Sequence, residues 1–215
     1  MHPMLDNKLY ARAAIVFLWM NVWCSAAWLG YNIAGYQVVK NFAAAVVVVV
    51  ARSMMTLGTI VAFLLWFYRA YKNLDLAGVN TLYAPGWAIG SFFVPILNWI
   101  RPYRIMEEIW QENAGLIKAS NAAGSPVEEQ PGSLLKWWWE CWVLSWLSLL
   151  ADSKISSLSP AVVMSPSREV MVWLHSFFTL LAAIFAIRVI NTIAVFENAV
   201  FEKHHLREQL NISQT

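Results

Sequence analysis

Few residues in this 215-residue chain have the type and spacing that catalysis or cofactor binding needs. Haem ligation in a helical bundle needs His or Met pairs on facing helices, and a single histidine, His175, lies within a predicted span. A helix histidine of this kind is typical of a hydrogen-bonded packing residue. The sequence has no Ser-His-Asp arrangement, paired-carboxylate spacing, zinc spacing or phosphate-binding glycine loop. We therefore expect no catalytic, cofactor or metal site, and a protein that is not an enzyme.

A set of polar residues is the strongest candidate for a site. Its members are predicted to lie near the cytoplasmic end of a helical bundle: Arg69, Asn73, Asn98, Arg101, Glu140, Arg188 and Asn191. A carboxylate at that depth is costly without a partner, so we expect Glu140 to pair with Arg101 or Arg188. The set either holds helices together, as ion-pair networks commonly do, or forms a pocket for an anionic lipid headgroup or small solute.

The composition identifies the class of protein. Hydrophobic residues make up 59% of the chain and charged residues 13%, whereas a typical soluble domain has about 45–50% apolar and about 25% charged residues. So few charges cannot cover the surface of a soluble domain. The 13 tryptophans, several of them at the ends of apolar runs, are typical of membrane interfaces. We therefore expect an all-α integral membrane protein.

Apolar runs divide this single membrane domain into predicted elements. Four transmembrane helices are expected at about 13–36, 47–68, 134–151 and 169–188. The run 86–100 is short and contains Pro95, which predicts a re-entrant or interfacial broken helix. Residues 101–113 have one apolar face and a polar face that includes Glu108, which predicts an amphipathic surface helix. Residues 202–215 form a polar tail.

The distribution of Lys and Arg discriminates between two topologies. Arg52 and Arg188 lie within apolar runs, which leaves the other basic residues to assign to loops. Four spans with both termini cytoplasmic place ten of them inside and three outside. Five spans with a cytoplasmic N-terminus place six inside and seven outside. Since cytoplasmic loops carry an excess of basic residues, the four-span topology is favoured.

Four strings in the middle of the chain form a long and specific signature. They are LLWFYRAYKN at 64–73, YAPGWAIG at 83–90, FFVPILN at 92–98 and RPYR at 101–104. The chain resembles the bacterial family catalogued as domain-of-unknown-function family 4328, over roughly residues 50–200. The resemblance implies a bacterial integral membrane protein with no established activity. Glu140 departs from the family's pattern, so the resemblance gives it no role.

Two functions fit these observations. The first is a non-enzymatic scaffold or accessory subunit of a membrane assembly in the bacterial inner membrane, because small residues such as Gly58, Ala182 and Ala183 suit helix contacts. Its expected partners are membrane lipids and other subunits or a second copy, and not nucleic acid. The alternative is a small transporter, channel or lipid-handling protein that uses the broken segment 85–101, since broken helices commonly line transporter cavities.

Overall fold

All regular secondary structure in the described residues is helical, as the composition predicts. The computed structural model describes residues 4–33, 42–120, 132–158 and 166–213. The helices are α1 (Lys8–Ile33), α2 (Phe42–Leu76), α3 (Trp87–Gly90), α4 (Arg101–Ser120), α5 (Gly132–Leu158) and α6 (Pro166–Ser213), with a 3₁₀ turn at Leu97–Trp99. The predicted linker around 119–133 and the end of the polar tail lie mostly outside the described residues.

The described residues form two compact units. The first unit comprises residues 4–15, 60–120, 132–135 and 188–213, and the second comprises 16–33, 42–59, 136–158 and 166–187. Helices α1, α2, α5 and α6 contribute residues to both units.

Among the described residues, three helices are long and apolar enough to cross a membrane. They contain the stretches Lys8–Ala27, Val50–Leu76 and Val170–Glu202. The protein is therefore a membrane protein by the length and composition of its helices. The fourth predicted span, 134–151, lies on α5 and is not among these stretches. The tryptophans, the serines and the charged Lys136 and Glu140 make this run less apolar than those three stretches.

Helices α2 and α6 are longer than a bilayer requires. With 35 and 48 residues they extend roughly 52 and 72 Å, at about 1.5 Å per residue. A hydrocarbon core is about 30 Å thick. Both helices therefore extend beyond the predicted spans 47–68 and 169–188.

Helix α2 ends in a Schellman motif. Gly78 has a φ of 84°, which is in the left-handed region that favours glycine. The Val79 N–H donates to the Leu74 carbonyl at 3.0 Å and the Gly78 N–H to the Asp75 carbonyl at 3.1 Å. These bonds satisfy carbonyls that the end of a helix leaves open, and they turn the chain towards the broken segment.

The short apolar run 86–100 is not a continuous helix. It contains α3, a series of turns that includes Pro95, and the 3₁₀ turn. The turns satisfy many of their own backbone groups: the N–H of Ser91 bonds the Trp87 carbonyl at 3.1 Å, and that of Asn98 bonds the Val94 carbonyl at 2.8 Å. The break that Pro95 predicts is therefore present.

Helix α4 is continuous, as predicted, and extends seven residues beyond the expected end at 113. Its apolar face is buried within the first unit: Pro102, Ile105, Met106, Ile109 and Trp110 all have little or no exposure. The assignment of Glu108 to an outer polar face was wrong, because the structure buries this side chain.

Helices α1 and α2 contact each other closely in the second unit. A Cβ added at Gly58 would lie 2.7 Å from Cε1 of Phe17. Asn21 donates to the Thr59 hydroxyl, and this hydroxyl bonds the Met55 carbonyl at 3.0 Å. A small residue that admits a neighbouring ring, next to a polar pair, is a common basis of helix association in membranes.

We expect Gly58→Ala and Gly115→Ala to change stability in opposite directions. The new methyl at position 58 must displace the Phe17 ring, which costs about 1–3 kcal/mol. Gly115 lies exposed in α4 with nothing within 4 Å of an added Cβ, so alanine there stabilises by about 0.5–1 kcal/mol. Thermal unfolding of the purified variants in detergent measures both changes. Equal midpoints for the two variants would contradict the close contact at Gly58.

Candidate functional site

The N-terminal segment, residues 4–7, lies against helices α2 and α6 in the first unit. An Asx turn starts α1 directly after it, since the Lys8 N–H donates to Asp6 Oδ1 at 2.9 Å. The Ala11 N–H donates to the Asn7 carbonyl at 3.0 Å and continues the helix. A carboxylate at this position also interacts favourably with the positive end of the helix dipole.

Asn73 of α2 holds the N-terminal segment through its amide. The Leu5 N–H donates to Asn73 Oδ1, and Asn73 Nδ2 donates to the Leu5 carbonyl, both at 2.9 Å. The side chain therefore pairs with the backbone of Leu5 much as a neighbouring strand would. Asn73 is 3% exposed, so water does not compete for these bonds.

Glu197 of α6 lies at the centre of the same region. Asn7 Nδ2 is 3.3 Å from Oε1 and 3.1 Å from Oε2 of this carboxylate, and Asn73 Nδ2 is 3.2 Å from Oε1. Glu197 is 4% exposed and Asn7 6% exposed. We call Asn7, Asn73 and Glu197 the amide–carboxylate cluster. A buried carboxylate is costly unless donors surround it, and two amides supply them here.

Two basic residues of this region are engaged beside the cluster. Arg69 Nη2 donates to the Asp6 carbonyl at 2.7 Å, and its guanidinium lies 4.2 Å from the centre of the Tyr10 ring. Lys8 Nζ lies 3.9 Å from Oε1 of the exposed Glu202. In neither contact does the cation bind the Glu197 carboxylate. The hydrogen bonds to Glu197 come from the amide groups of Asn7 and Asn73.

A cleft opens beside the amide–carboxylate cluster. It is small and open to solvent, and both polar and apolar residues line it: Leu5, Asp6, Asn7, Lys8, Asn73, Ala194, Glu197, Asn198 and Phe201. Asn7 Oδ1 is buried and has no hydrogen-bond partner among the described residues. The residues that line the cleft therefore include one with a buried carboxylate, Glu197, and one whose amide oxygen lacks a donor, Asn7.

Glu108 holds the loop that follows α2. Its Oε1 accepts the Leu82 N–H at 2.7 Å, and its Oε2 accepts the Tyr71 hydroxyl at 2.8 Å. The same hydroxyl accepts the Tyr83 N–H at 3.0 Å. These bonds explain why the side chain is buried. Both oxygens of the Glu108 carboxylate are therefore used in hydrogen bonds to groups of the same chain.

Arg101 lies between the Trp87 ring of the broken segment and the Tyr83 ring just before that segment. Its guanidinium is 4.2 Å from the centre of the Trp87 ring and 5.0 Å from that of Tyr83. Its Nη1 is buried and has no hydrogen-bond partner in the part of the chain that the structure describes, and the same is true of Asn98 Oδ1. The Nη1 group of the stacked guanidinium can therefore still donate a hydrogen bond to another acceptor.

The seven predicted site residues do not form one described cluster. Arg69 and Asn73 meet in the first unit, while Asn98 and Arg101 belong to the broken segment. Arg188 and Asn191 are exposed on α6. Glu140 is in the second unit and pairs with Lys136 one turn away, at 3.7 Å, with 42% of its side chain exposed. The expected pairing of Glu140 with Arg101 or Arg188 was wrong, because Lys136 supplies the partner locally.

Sequence reasoning missed Asn7 and Glu197, although Glu197 had a detectable signal. Ile190 and Ile193 are fully buried, and Glu197 follows them at the helical spacing that keeps it on the same face. A carboxylate on an apolar face predicts a buried group. Asn7 had no comparable signal, because it precedes the first helix and its partners are distant in sequence.

Histidine and metal chemistry are limited in the described residues. His175 Nδ1 donates to the Ser145 carbonyl at 2.9 Å, since a carbonyl can only accept. His175 is therefore hydrogen-bonded to a neighbouring helix, as a packing histidine is expected to be. Within ranges 4–33, 42–120, 132–158 and 166–213, no three His, Cys, Asp or Glu residues come together to hold a metal ion.

Comparison with known proteins identifies the family. Residues 30–197 match the family described as a domain of unknown function, DUF4328. The chain belongs to this family. No curated protein and no solved structure matches it significantly. The DUF4328 match contains Asn73, Arg101 and Glu197, whereas Asn7 and the rest of the N-terminal segment precede it.

Replacement of Asn73 by aspartate is expected to destabilise the DUF4328 protein by about 2–4 kcal/mol. The change removes the donors to Leu5 and Glu197 and puts a second carboxylate beside the first. Asn80→Asp is the matched control, because Asn80 is exposed in the loop after α2 and should change stability by under about 0.5 kcal/mol. Thermal unfolding in detergent measures both. A tolerated Asn73→Asp would mean that the cluster does not hold the N-terminal segment.

Proposed function

We propose that this DUF4328 protein is a multi-pass protein of the bacterial inner membrane with four spans and both termini cytoplasmic. The excess of basic residues on one side of the four-span topology supports this arrangement. In this proposal α5 is the fourth span. Its 27 residues correspond to roughly 40 Å of helix, which is enough to cross a hydrocarbon core of about 30 Å.

The same proposal makes residues 86–100 a re-entrant segment. Irregular backbone at membrane depth must satisfy its own polar groups, and the turns of this segment do so for many of them. Its side chains suit lipid as well: Phe93 is 73% exposed and Ile96 is 78% exposed. Exposed apolar side chains on a backbone of closed turns favour a segment that enters lipid and returns.

Cysteine labelling tests this topology. In a variant without Cys24 and Cys141, single cysteines at positions 80 and 122 should react with a membrane-impermeant maleimide from the cytoplasmic side. A cysteine at position 157 should react from the outside. Labelling of positions 80 and 122 from opposite sides would mean that the broken segment spans the membrane.

The function that we propose is that of a non-enzymatic scaffold or accessory subunit of a membrane assembly. The observation that supports it is the surface of α5. Neighbouring indole rings follow this helix: Trp139 and Trp142 are stacked with ring centres 4.7 Å apart, and Trp142 and Trp146 meet edge to face at 6.0 Å. Trp146, Leu147 and Leu150 are exposed.

A span with this composition suits protein contact better than lipid. The indole N–H of tryptophan is a polar group that a hydrocarbon tail cannot satisfy, whereas a neighbouring helix can. Tryptophan is also enriched in the interfaces between proteins, because its ring buries a large area at low entropic cost. The outer face of α5 is therefore the proposed contact with another subunit.

A specific observation favours lipid handling as a second candidate function. Arg101 is held between Trp87 and Tyr83 and keeps a buried Nη1 donor without a described partner. A guanidinium fixed in this way can bind a phosphate oxygen. The exposed Phe93 and Ile96 of the same segment would contact the acyl chains of such a lipid.

Native mass spectrometry of the protein extracted from its own membranes in mild detergent tests both candidates. A scaffold should carry a second protein at fixed stoichiometry, and Trp146→Ala should release that protein because it removes an outward ring of α5. The matched control is Val61→Ala, which shortens an exposed side chain of α2 and should retain the partner.

The same measurement distinguishes the second candidate. Retention of an anionic phospholipid that Arg101→Gln loses, and that Arg104→Gln keeps, would establish lipid binding at the broken segment. Arg104 is a suitable control because it is exposed and pairs with Glu107 at 3.4 Å. A chain that carries neither a protein nor a specific lipid would contradict both functions.

A further inference from the structure

We propose that the cleft beside the amide–carboxylate cluster binds a monovalent metal cation such as Na⁺ or K⁺. This site is independent of the contact on α5 and of Arg101. It is built from Glu197, which is 4% exposed, and from Asn7, whose Oδ1 is buried without a hydrogen-bond partner among the described residues. Both residues line the same cleft.

The orientation of the Asn7 amide is fixed by its neighbours. Nδ2 lies 3.1 Å from Glu197 Oε2 and 3.3 Å from the Trp66 carbonyl, and both of these groups can only accept. A flipped amide would point Oδ1 at two acceptors and lose these bonds. Oδ1 must therefore be the atom that lacks a partner, and an acceptor without a donor can be satisfied by a cation.

The chemistry of the lining selects the class of ion. The lining side chains that carry oxygen are those of Asp6, Asn7, Glu197 and Asn198, and no lining residue has an imidazole or a thiol. Oxygen ligands favour hard cations over transition metals. The lining has two carboxylates, and Glu197 already accepts three N–H contacts. Divalent ions generally require more carboxylate charge, so a monovalent ion fits better.

The charges around the cleft also permit a cation. The lining has two acidic side chains, Asp6 and Glu197, and one basic side chain, Lys8. The Lys8 ammonium faces Glu202, and the nearby Arg69 guanidinium faces the Asp6 carbonyl and the Tyr10 ring. Two acidic and one basic side chain leave the lining with one net negative charge, which a single bound cation would balance.

A bound cation would fasten the N-terminal segment to α6. Asn7 belongs to this segment and Glu197 to α6, so an ion that contacts both adds a link between them. Since the folded arrangement creates the site, the ion should stabilise the fold in proportion to the logarithm of its concentration. This dependence separates specific binding from a general effect of salt.

The test compares NaCl and KCl with choline chloride at equal ionic strength, using thermal unfolding of the full chain in detergent. Na⁺ or K⁺ should raise the midpoint by about 5 °C at 100 times its dissociation constant. Equilibrium binding of radioactive Na⁺ or Rb⁺ to the unmodified protein should saturate at about one ion per chain. Glu197→Gln should abolish both effects, and Glu107→Gln, which changes a carboxylate outside the lining that pairs with Arg104, should keep them.

Asn7→Asp keeps the proposal testable if Glu197→Gln does not fold. This change replaces the amide donor by a second carboxylate next to Glu197, and the repulsion between the two is relieved by a cation. Its stability should therefore depend on Na⁺ or K⁺ at least twice as strongly as that of the parent. Equal midpoints in the three salts together with no saturable ion binding to the unmodified chain would overturn the proposal, as would an Asn7→Asp defect that no cation reduces.

Discussion

The hydrogen bonds to the Glu197 carboxylate are the interaction on which the first unit depends. A carboxylate that is 4% exposed must find donors, and Asn7 and Asn73 supply them from two other parts of the chain. Asn73 in turn pairs with both backbone groups of Leu5. A single buried charge thereby fixes where the N-terminal segment lies relative to α2 and α6. Because each amide serves two partners, the loss of one exposes several unmet polar groups.

A second constraint acts on the segment between α2 and α4. Its backbone is irregular, so it cannot rely on helical hydrogen bonds, and its side chains are largely apolar. The structure resolves this conflict in three ways: the Schellman motif at Gly78, the acceptance of backbone N–H groups by Glu108 and Tyr71, and the turns of 86–100. Arg101 adds a cation between two rings. These contacts give a broken segment a defined conformation.

The fold was easier to predict from the sequence than the site. Periodicity identified the buried face of α4, and Pro95 identified the break before it, because both signals are local. Glu140 was assigned a distant arginine although Lys136 lies one turn away, which a local i,i+4 rule would have favoured. Asn7 and Glu197 could not be paired by any local rule. Their contact joins residues 190 positions apart, and sequence patterns carry no information about such a distance.

The same separation has a consequence for biogenesis. At about 5–20 residues per second, a ribosome needs roughly 10–40 s to reach position 197 after position 7 has emerged. Asn73 can pair with Leu5 early in that interval, since they are 68 positions apart. Asn7 cannot find its carboxylate until the last helix is made. The nascent chain therefore holds the Asn7 amide without its carboxylate through most of its insertion, with the Trp66 carbonyl as its earlier acceptor, and α6 completes the cluster.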